Sequence, residues 1–211
     1  MNRIVIGFDG AQVKDNLIHQ KCRGHCNVRH YDEYINAVLR IAAMYFKSVD
    51  HIIMPVRSCL SSTLKASMKR VNTEFVYVCQ EDISLVRPFR LEAILNVMAT
   101  DHSLGIVRPT AASNKFQRDY INWHCKYPMK KLVEKSVGEL VFLECHEYSD
   151  QNHISTLSFY KAHVWPQVMD GDFMEHDIAC ADNFPGLSGH IWLIGNLDDG
   201  NYCRHNDGRN A

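Results

Sequence analysis

The sequence predicts a mixed α/β fold with a central, mostly parallel sheet flanked by helices and a small antiparallel sheet late in the chain. Three observations lead to this prediction. Apolar segments with strand spacing and helix spacing alternate over the first eighty residues, as in sheets built from helical crossovers. The strands of this region are short, continuous apolar runs, which are typical of parallel strands buried on both faces. The later strands are less uniformly apolar, which suits antiparallel additions or edges.

Length and composition favour one globular domain that acts on small molecules. The chain has 211 residues, of which 46% are hydrophobic, and this is enough for a sizeable core. We expect one domain over residues 1–197 and a linker or tail over residues 198–211, a stretch rich in Gly, Asn and Asp that points to further domains of a longer chain. The 23 basic and 24 acidic residues nearly balance, which argues against a nucleic-acid partner.

The expected location is the cytoplasm. No apolar run approaches the roughly 18 residues of a membrane span, so no span is predicted. The chain opens with Met-Asn-Arg and leads directly into a short strand rather than a signal peptide. A cytoplasmic protein that binds small molecules is the resulting expectation.

The first predicted strand covers residues 3–8 and ends at Asp9 and Gly10. This is the usual position of the first strand-to-helix turn in a nucleotide-binding sheet. No GxGxxG pattern follows, so the dinucleotide site of nicotinamide-dependent enzymes is not expected.

Two further helix-strand pairs continue the pattern. Asp32 can cap a helix whose apolar residues recur along one face as far as Phe46. A second apolar strand covers residues 51–56, and a serine caps a helix that runs to about Val71. That helix leads directly into the next strand.

The stretch from Glu74 to Asp82, with the sequence EFVYVCQED, is the most informative part of the chain. Its apolar run predicts a fully buried parallel strand that stops at Gln80-Glu81-Asp82. Ligands of open α/β sheets bind beyond the carboxyl ends of the strands, and these side chains are delivered there. Carboxylate and amide oxygens suit a hard divalent cation, which can hold a diphosphate. The alternative is a solvated loop after a strand.

The second half of the chain contains shorter elements. Pro88 begins a predicted helix, and strands are predicted over residues 104–107, 140–145 and 154–160. Between them, residues 110–135 mix cations with aromatic rings, which suits either stacking on sugar or base rings or an amphipathic cover of the sheet.

A second acidic cluster, DGDFMEHD, covers residues 170–177. A carboxylate in this cluster can accept the proton of an attacking hydroxyl, as a general base does. The same residue types are also favoured in a turn and at a helix N-terminus. Both interpretations stay open at the level of composition.

The eight cysteines lie mostly within apolar runs, which favours reduced thiols. Cys22, Cys26 and His30 are the exception, because they recur every four residues. They suit either a zinc site or a loop, although their spacing matches no usual pair of zinc ligands.

The two acidic clusters carry a resemblance to a known family. The passage from Thr63 to Asp82 resembles the helix-strand-DxD region of GT-A fold glycosyltransferases of the family-2-like kind, with Gln80-Glu81-Asp82 in the place of the DxD motif. Residues 158–177 are similar to the acceptor-side strand, short helix and acidic motif of that family. The order and separation of the clusters match as well. The chain is also similar to viral glycosyltransferase domains at the start of multidomain proteins, which would place it in the cytoplasm of a host cell.

The resemblance implies a metal-dependent transfer of a hexose or deoxyhexose from a nucleoside-diphosphate sugar to a glycan hydroxyl, in the synthesis of surface glycans. The donor is expected to be a UDP-sugar such as UDP-glucose or UDP-rhamnose, and the cofactor Mn²⁺ or Mg²⁺. The residues implied in donor binding are Gly7, Phe8, Asp9, Arg57, Ser58, Lys65, Gln80 and Glu81. The implied metal ligands are Asp82, Glu81 and His190, and the implied base is Asp177 or Glu175.

Two departures from the family pattern leave other functions open. Gln80 stands where the family has Asp, and Leu64-Lys65 replaces an Arg-Asn pair. One alternative is a sugar nucleotidyltransferase, although the first strand lacks the glycine-rich basic loop typical of such enzymes. The other is a catalytically inactive module that binds a sugar nucleotide or a glycan.

Overall fold

The structure is a computed structural model that describes residues 3–10, 13–14, 17–18, 26–56, 58–110, 133–172, 174–195 and 200–206. The chain divides into two compact units. The first comprises Met1–Asn72 and Val168–Phe173, and the second comprises Thr73–Gln167 and Met174–Ala211. These units are groups of residues that pack together, and they do not show which parts of the chain fold independently. The single domain over residues 1–197 therefore stays a prediction.

The first unit is built on a parallel pair of strands. Strands β1 and β5 pair in parallel from Arg3 opposite Ser48 to Phe8 opposite Ile53. Helix α1 joins them along the chain, and α2 follows β5, which gives the predicted strand-helix-strand-helix order. The strands and helices of this unit are β1 (Arg3–Phe8), β2 (Val13–Lys14), β3 (Leu17–Ile18), β4 (Cys26–Asn27), α1 (Val28–Tyr45), β5 (Ser48–Ile53) and α2 (Cys59–Met68).

The second unit contains a six-stranded sheet in the order β6-β11-β8-β12-β10-β9. Helix α3 packs its buried residues Ile94 and Met98 against Val107, Phe142 and Ile154 of this sheet. A separate antiparallel pair is formed by β7 and β13. The strands and helix of this unit are β6 (Phe75–Val78), β7 (Ile83–Leu85), α3 (Leu91–Thr100), β8 (Ile106–Pro109), β9 (Glu134–Val137), β10 (Leu140–Glu144), β11 (His153–Thr156), β12 (Ile191–Ile194) and β13 (Cys203–His205).

Short helical segments complete the second unit. Thr156 caps the first of them, because its Oγ1 accepts a hydrogen bond from the backbone N–H of Phe159 at 3.0 Å. The segments are an α-helical turn at Leu157–Phe159, a π-helical turn at Tyr160–Val164, a 3₁₀ turn at Trp165–Gln167, an α-helical turn at Met174–Asp177 and a 3₁₀ turn at Ala181–Asn183. No helix within the described ranges is both long and apolar enough to cross a membrane.

The mixed α/β prediction is confirmed, but the six-stranded sheet differs from the mostly parallel sheet that was expected. Its only parallel pair is β8 with β12, and its other pairs are antiparallel. Strand β6 pairs with β11 in antiparallel orientation, and its first three residues are half-buried rather than buried. An apolar run indicates that a strand is buried, but it does not indicate whether the neighbouring strand is parallel or antiparallel.

The expected strand over residues 154–160 is shorter in the structure. It ends at Thr156, where the helical turn begins, and it lies between β6 and β8 and is antiparallel to both, which is one of the two placements that its composition suits. Residues 203–205 of the expected linker form β13, and Cys203 is buried.

The cysteines and the cationic segment give a mixed outcome. Cys180 is disulfide-bonded, contrary to the expected reduced thiol, whereas Cys59, Cys79, Cys145 and Cys203 are reduced thiols as expected. Cys22 and the side chain of Cys26 lie outside the described part of the chain, and so do residues 111–132. The zinc and ring-stacking hypotheses therefore fall outside the described residues.

Candidate functional site

The turn at residues 80–82 lies directly beyond the carboxyl end of β6, as predicted. Asn152, which is 2% exposed, holds this turn with both ends of its amide. Its Oδ1 accepts from the backbone N–H of Gln80 at 2.8 Å, and its Nδ2 donates to the carbonyl of Ile83 at 2.9 Å. The turn is therefore fixed at both of its ends by one buried side chain.

Both predicted carboxylates of this turn have access to solvent. Glu81 is exposed and Asp82 is half-buried. The backbone carbonyl of Asp82 accepts from the N–H of Asn206 at 2.6 Å, next to the end of β13. The backbone is thus anchored while the two acids face outward enough to meet a ligand.

Glu175 of the second acidic cluster comes to the same part of the second unit. Its Oε1 accepts from the hydroxyl of Ser149 at 2.5 Å and from the backbone N–H of Asp150 at 3.3 Å. The side chains of Glu175 and Gln80 both lie close enough to the carboxyl group of Asp150 to act on its pKa. Asp150 therefore lies near members of both acidic clusters that the sequence predicted separately.

Burial and neighbouring negative charge raise the pKa values of two carboxyl groups near Glu175. Burial is the largest cause that raises the pKa of Asp150, and the neighbouring charge and hydrogen bond of Glu175 add to it. The amide of Gln80 acts in the opposite direction and lowers the pKa of Asp150. Burial also raises the pKa of Glu147 to about 7, with Arg108 lowering it and Glu175 raising it. We call Glu147, Asp150 and Glu175 the acidic group.

A layer of buried polar side chains supports the acidic group. Arg108 is 1% exposed, and its Nη1 donates to the backbone carbonyl of Glu147 at 3.2 Å. The hydroxyl of Tyr148 donates to Sδ of Met174 at 3.8 Å, and the hydroxyl of Tyr160 is hydrogen-bonded to Nε2 of His153. These contacts fix the segment from 147 to 153 between β8 and the π-helical turn, which holds Ser149 and Asp150 in place.

His190 and the 80–82 turn lie at opposite ends of the strands of the six-stranded sheet. Strand β11 is antiparallel to both β6 and β8, and β12 is parallel to β8, so β6 and β12 run in the same direction. His190 precedes the amino end of β12, whereas residues 80–82 follow the carboxyl end of β6. The ring of His190 instead packs at 5.7 Å from Phe159 and 6.4 Å from His163. The structure does not bring His190 to Glu81 and Asp82.

Asp177, the other predicted base, ends the helical turn at Met174–Asp177 and is half-buried. Glu175 is the member of this pair that accepts from Ser149 and Asp150. The same cluster is divided between the units, because Asp170 belongs to the first unit and Glu175 to the second.

Several predicted donor-binding residues meet at one edge of the first unit. Oδ1 of Asp9 accepts from the backbone N–H groups of Gly10 at 2.9 Å and Ser58 at 2.6 Å. Phe8 is buried, and its carbonyl accepts from the N–H of Met54 at 3.0 Å. Asp9 and Ser58 therefore lie together beyond the carboxyl ends of β1 and β5, as the strand-end argument predicts.

The remaining donor-binding predictions have different outcomes. Arg57 lies outside the described residues. Nζ of Lys65 donates to Oδ1 of Asp170 at 2.6 Å and to the carbonyl of Val168 at 3.0 Å, so it is engaged within the first unit. Gly7 has a packing role, because a Cβ atom at this position would lie 2.6 Å from Oγ of Ser67 in α2.

The donor chemistry of the turn suits a divalent cation in part. Glu81 and Asp82 are adjacent oxygen ligands of the type that Mn²⁺ and Mg²⁺ accept. Across the residues that the structure describes, no three His, Cys, Asp or Glu side chains converge closely enough to hold an ion. A cation at this turn would therefore take its other ligands from water and from the diphosphate, as Mg²⁺ commonly does.

Comparison with known proteins identifies no relative. No family model, no curated protein and no solved structure matches this chain. The functional argument therefore depends on the site alone.

Sequence reasoning missed Glu147, Ser149, Asp150 and Asn152. They lie in the run HEYSDQN, which connects two strands just before β11. The strand-end argument that singled out residues 80–82 could have found this run, since β11 enters the sheet at the edge where β6 leaves it. That relation requires the strand pairing, which the sequence does not supply.

Proposed function

We propose that this protein is a metal-dependent glycosyltransferase of the GT-A type. It transfers a hexose or deoxyhexose from a UDP-sugar, such as UDP-glucose or UDP-rhamnose, to a hydroxyl of a glycan acceptor in surface-glycan synthesis. One observation carries the proposal: the segment 149–152 binds both Glu175, on the expected acceptor side, and the turn expected to hold the donor diphosphate. Ser149 and the N–H of Asp150 donate to Glu175, and Asn152 binds the backbone at both ends of the turn. Glu175 and the turn belong to the same unit.

Each residue has a defined task in this proposal. Glu81 and Asp82 hold Mn²⁺ or Mg²⁺, and the cation supplies positive charge to the departing diphosphate. Glu175 accepts the proton of the acceptor hydroxyl as that oxygen attacks the sugar. Ser149 and Asp150 orient the accepting oxygen through their hydrogen bonds.

Calorimetric titration of UDP and UDP-glucose, first with Mn²⁺ and then with EDTA, tests the proposal. We expect binding that requires the metal, and we expect Asp82→Ala to weaken it by at least about tenfold because a metal ligand is lost. Glu92→Gln, at an exposed position in the first turn of α3, is the matched control and should bind as the parent does.

Product analysis separates the rival functions. Transfer of the sugar to an acceptor supports the glycosyltransferase, whereas release of pyrophosphate from a nucleoside triphosphate and a sugar phosphate supports a nucleotidyltransferase. Tight binding without a product supports an inactive module. Binding by Asp82→Ala equal to that of the parent would refute the assignment of the turn.

A further inference from the structure

Helix α1 of the first unit has apolar side chains on two neighbouring faces. Ile35 and Ala42, seven residues apart on one face, are buried. On the neighbouring face, Ile41, Met44 and Tyr45 are 57%, 76% and 76% exposed. A helix that only covers a sheet carries polar residues outside its buried face. The exposed apolar face of α1 is therefore a candidate contact surface.

This exposed face has the residue spacing of a helix-helix contact. Tyr34, Ala37, Ile41 and Met44 follow one another at intervals of three, four and three residues, the spacing of side chains that interlock between paired helices. We call these four residues the α1 stripe. The ring of Tyr34 lies 6.3 Å from that of Phe8 in an edge-to-face contact, so this end of the stripe is anchored on the unit.

The spacing of the stripe is the same when it is read from either end. An antiparallel copy of α1 can therefore set Tyr34 opposite Met44 of the partner subunit, and Ala37 opposite Ile41 of the partner subunit. The small side chain of Ala37 then leaves room for the larger Ile41. The stripe is thus complementary to itself, as a contact about a two-fold axis requires.

Charged side chains along one border of the stripe change sign from end to end. Glu33, Arg40 and Lys47 are exposed and recur every seven residues. In an antiparallel pair, Glu33 lies near Lys47 of the partner subunit, whereas a parallel pair would bring like charges to the same level. The two Arg40 side chains approach the axis at the solvated border, where charge interactions are weak.

We propose that the α1 stripe is the contact surface of a homodimer, in which α1 packs against α1 of a second copy of this chain in antiparallel orientation. A lipid surface fits the stripe less well. Helices that lie on anionic lipid are rich in Lys and Arg on their polar face, whereas the polar side of α1 includes Asp32 and Glu33 beside Arg40.

Sedimentation equilibrium of the full chain at micromolar concentration is the first test. We expect the parent to have twice the mass of one chain. Met44→Glu should raise the dissociation constant of the dimer by at least about a hundredfold, because each dimer would bury two unpaired carboxylates. Met169→Glu is the matched control, since Met169 is 65% exposed and lies in the same unit outside α1. Because both methionines are exposed, both variants should keep the circular dichroism spectrum of the parent.

Charge reversal tests the orientation of the two helices. Glu33→Lys and Lys47→Glu should each raise the dissociation constant by about twofold to tenfold, since like charges then meet at the ends of the contact. The double variant should return close to the parent value, because the same pair forms with its signs exchanged. Failure of the double variant to recover would overturn the antiparallel arrangement.

Two results of the sedimentation experiment would overturn the homodimer. One is a monomeric parent, and binding of that monomer to phosphatidylserine vesicles would assign the stripe to a lipid surface instead. The other is a dimer that neither Met44→Glu nor Ile41→Glu weakens, because its contact would then lie elsewhere on the chain.

Discussion

Gly7 shows how one absent side chain sets the packing of the first unit. A Cβ atom at this position would lie 2.6 Å from Oγ of Ser67 and 2.6 Å from Cγ2 of Thr63. Both contacts are shorter than atoms tolerate, so β1 approaches α2 closely only because residue 7 is glycine. The sequence singled out Gly7 for donor binding, and the structure gives it this packing role in addition.

Gly7→Ala should therefore destabilise the first unit by about 1–3 kcal/mol, the usual cost of overpacking a closely packed interface. Urea unfolding of parent and variant measures the difference. Adding Ser67→Ala and Thr63→Ser removes the two obstructing atoms and should recover at least about half of the loss. Ser67→Ala alone is a suitable control, because Oγ of Ser67 is buried without a hydrogen-bond partner. Equal stability of Gly7→Ala and the parent would show that α2 moves freely.

In the second unit, the single side chain of Asn152 determines the structure of the 80–82 turn. Its amide satisfies the backbone on both sides of the 80–82 turn, and its Nδ2 also lies 4.0 Å from Sγ of Cys203. No single position in the sequence reveals such a role, because an asparagine before a strand is ordinarily a turn residue. Its partners are 72 and 69 residues away in the chain.

Strand β13 acts on the candidate site through β7. Ile83 pairs with His205 and Leu85 with Cys203, and the N–H of Val86 donates to the carbonyl of Tyr202 at 2.9 Å. Ile83 and Cys203 form a small buried cluster of their own. The segment that follows the turn is therefore stabilised by residues near the end of the sequence.

Removal of residues 200–211 should expose β7 and loosen the turn. We expect hydrogen exchange at the amide of Val86 to accelerate by about tenfold or more, because its acceptor and the neighbouring strand are both lost. Metal-dependent binding of UDP should weaken in the same variant. Removal of residues 207–211 alone keeps β13 and is the control. Unchanged protection at Val86 after the longer deletion would argue against a stabilising role of β13.

Sequence patterns located most elements but not their partners. Strand β1 has the predicted bounds, while β5 and β8 are shifted by two or three residues. The helices were found because apolar side chains repeat along one face. The composition of β11 suited either an antiparallel addition or an edge, and the structure places it between β6 and β8, antiparallel to both. Pairing depends on contacts between distant residues, and the local pattern of one strand does not encode them.

Two buried titratable groups of the second unit have opposite effects on the way the free energy of unfolding depends on pH. Burial lowers the pKa of His153 from 6.5 to about 4, so the folded state loses stability as the pH falls through this range. Burial raises the pKa of Glu147 from 4.5 to about 7, so its contribution is present in full below pH 4.5 and is lost as the pH rises to about 7. The pKa of Asp150 is raised in the same direction as that of Glu147.

Glu147→Gln isolates one of these contributions. The variant and the parent should have similar free energies of unfolding near pH 4, where the glutamate is protonated in both states. The variant should be more stable by up to about 3 kcal/mol at pH 8, because it avoids the ionisation of a buried carboxyl group. Urea unfolding at both pH values measures the difference, with Glu92→Gln as the exposed control. A constant difference between pH 4 and pH 8 would contradict the raised pKa of Glu147.

The candidate site was predictable only in its separate parts. Residues 80–82 follow an apolar strand, and an acidic cluster with a helix-start pattern is visible at residues 170–177. Their association through the segment 149–152 was not predictable, since it requires this segment, which precedes β11, to reach the end of β6. The separation of His190 from the turn has the same origin, because it follows from the direction of β12.

Local chemistry thus established the mixed α/β composition and the strand-end position of Gln80, Glu81 and Asp82. Short-range rules suffice for these features, because apolar spacing and capping act within a few residues. The direction of the strands, the burial of Cys203 and the contact of Asn152 with the 80–82 turn were decided by the tertiary structure. Each depends on which distant segments share a sheet edge, and the free energy that selects those neighbours is spread over the whole core.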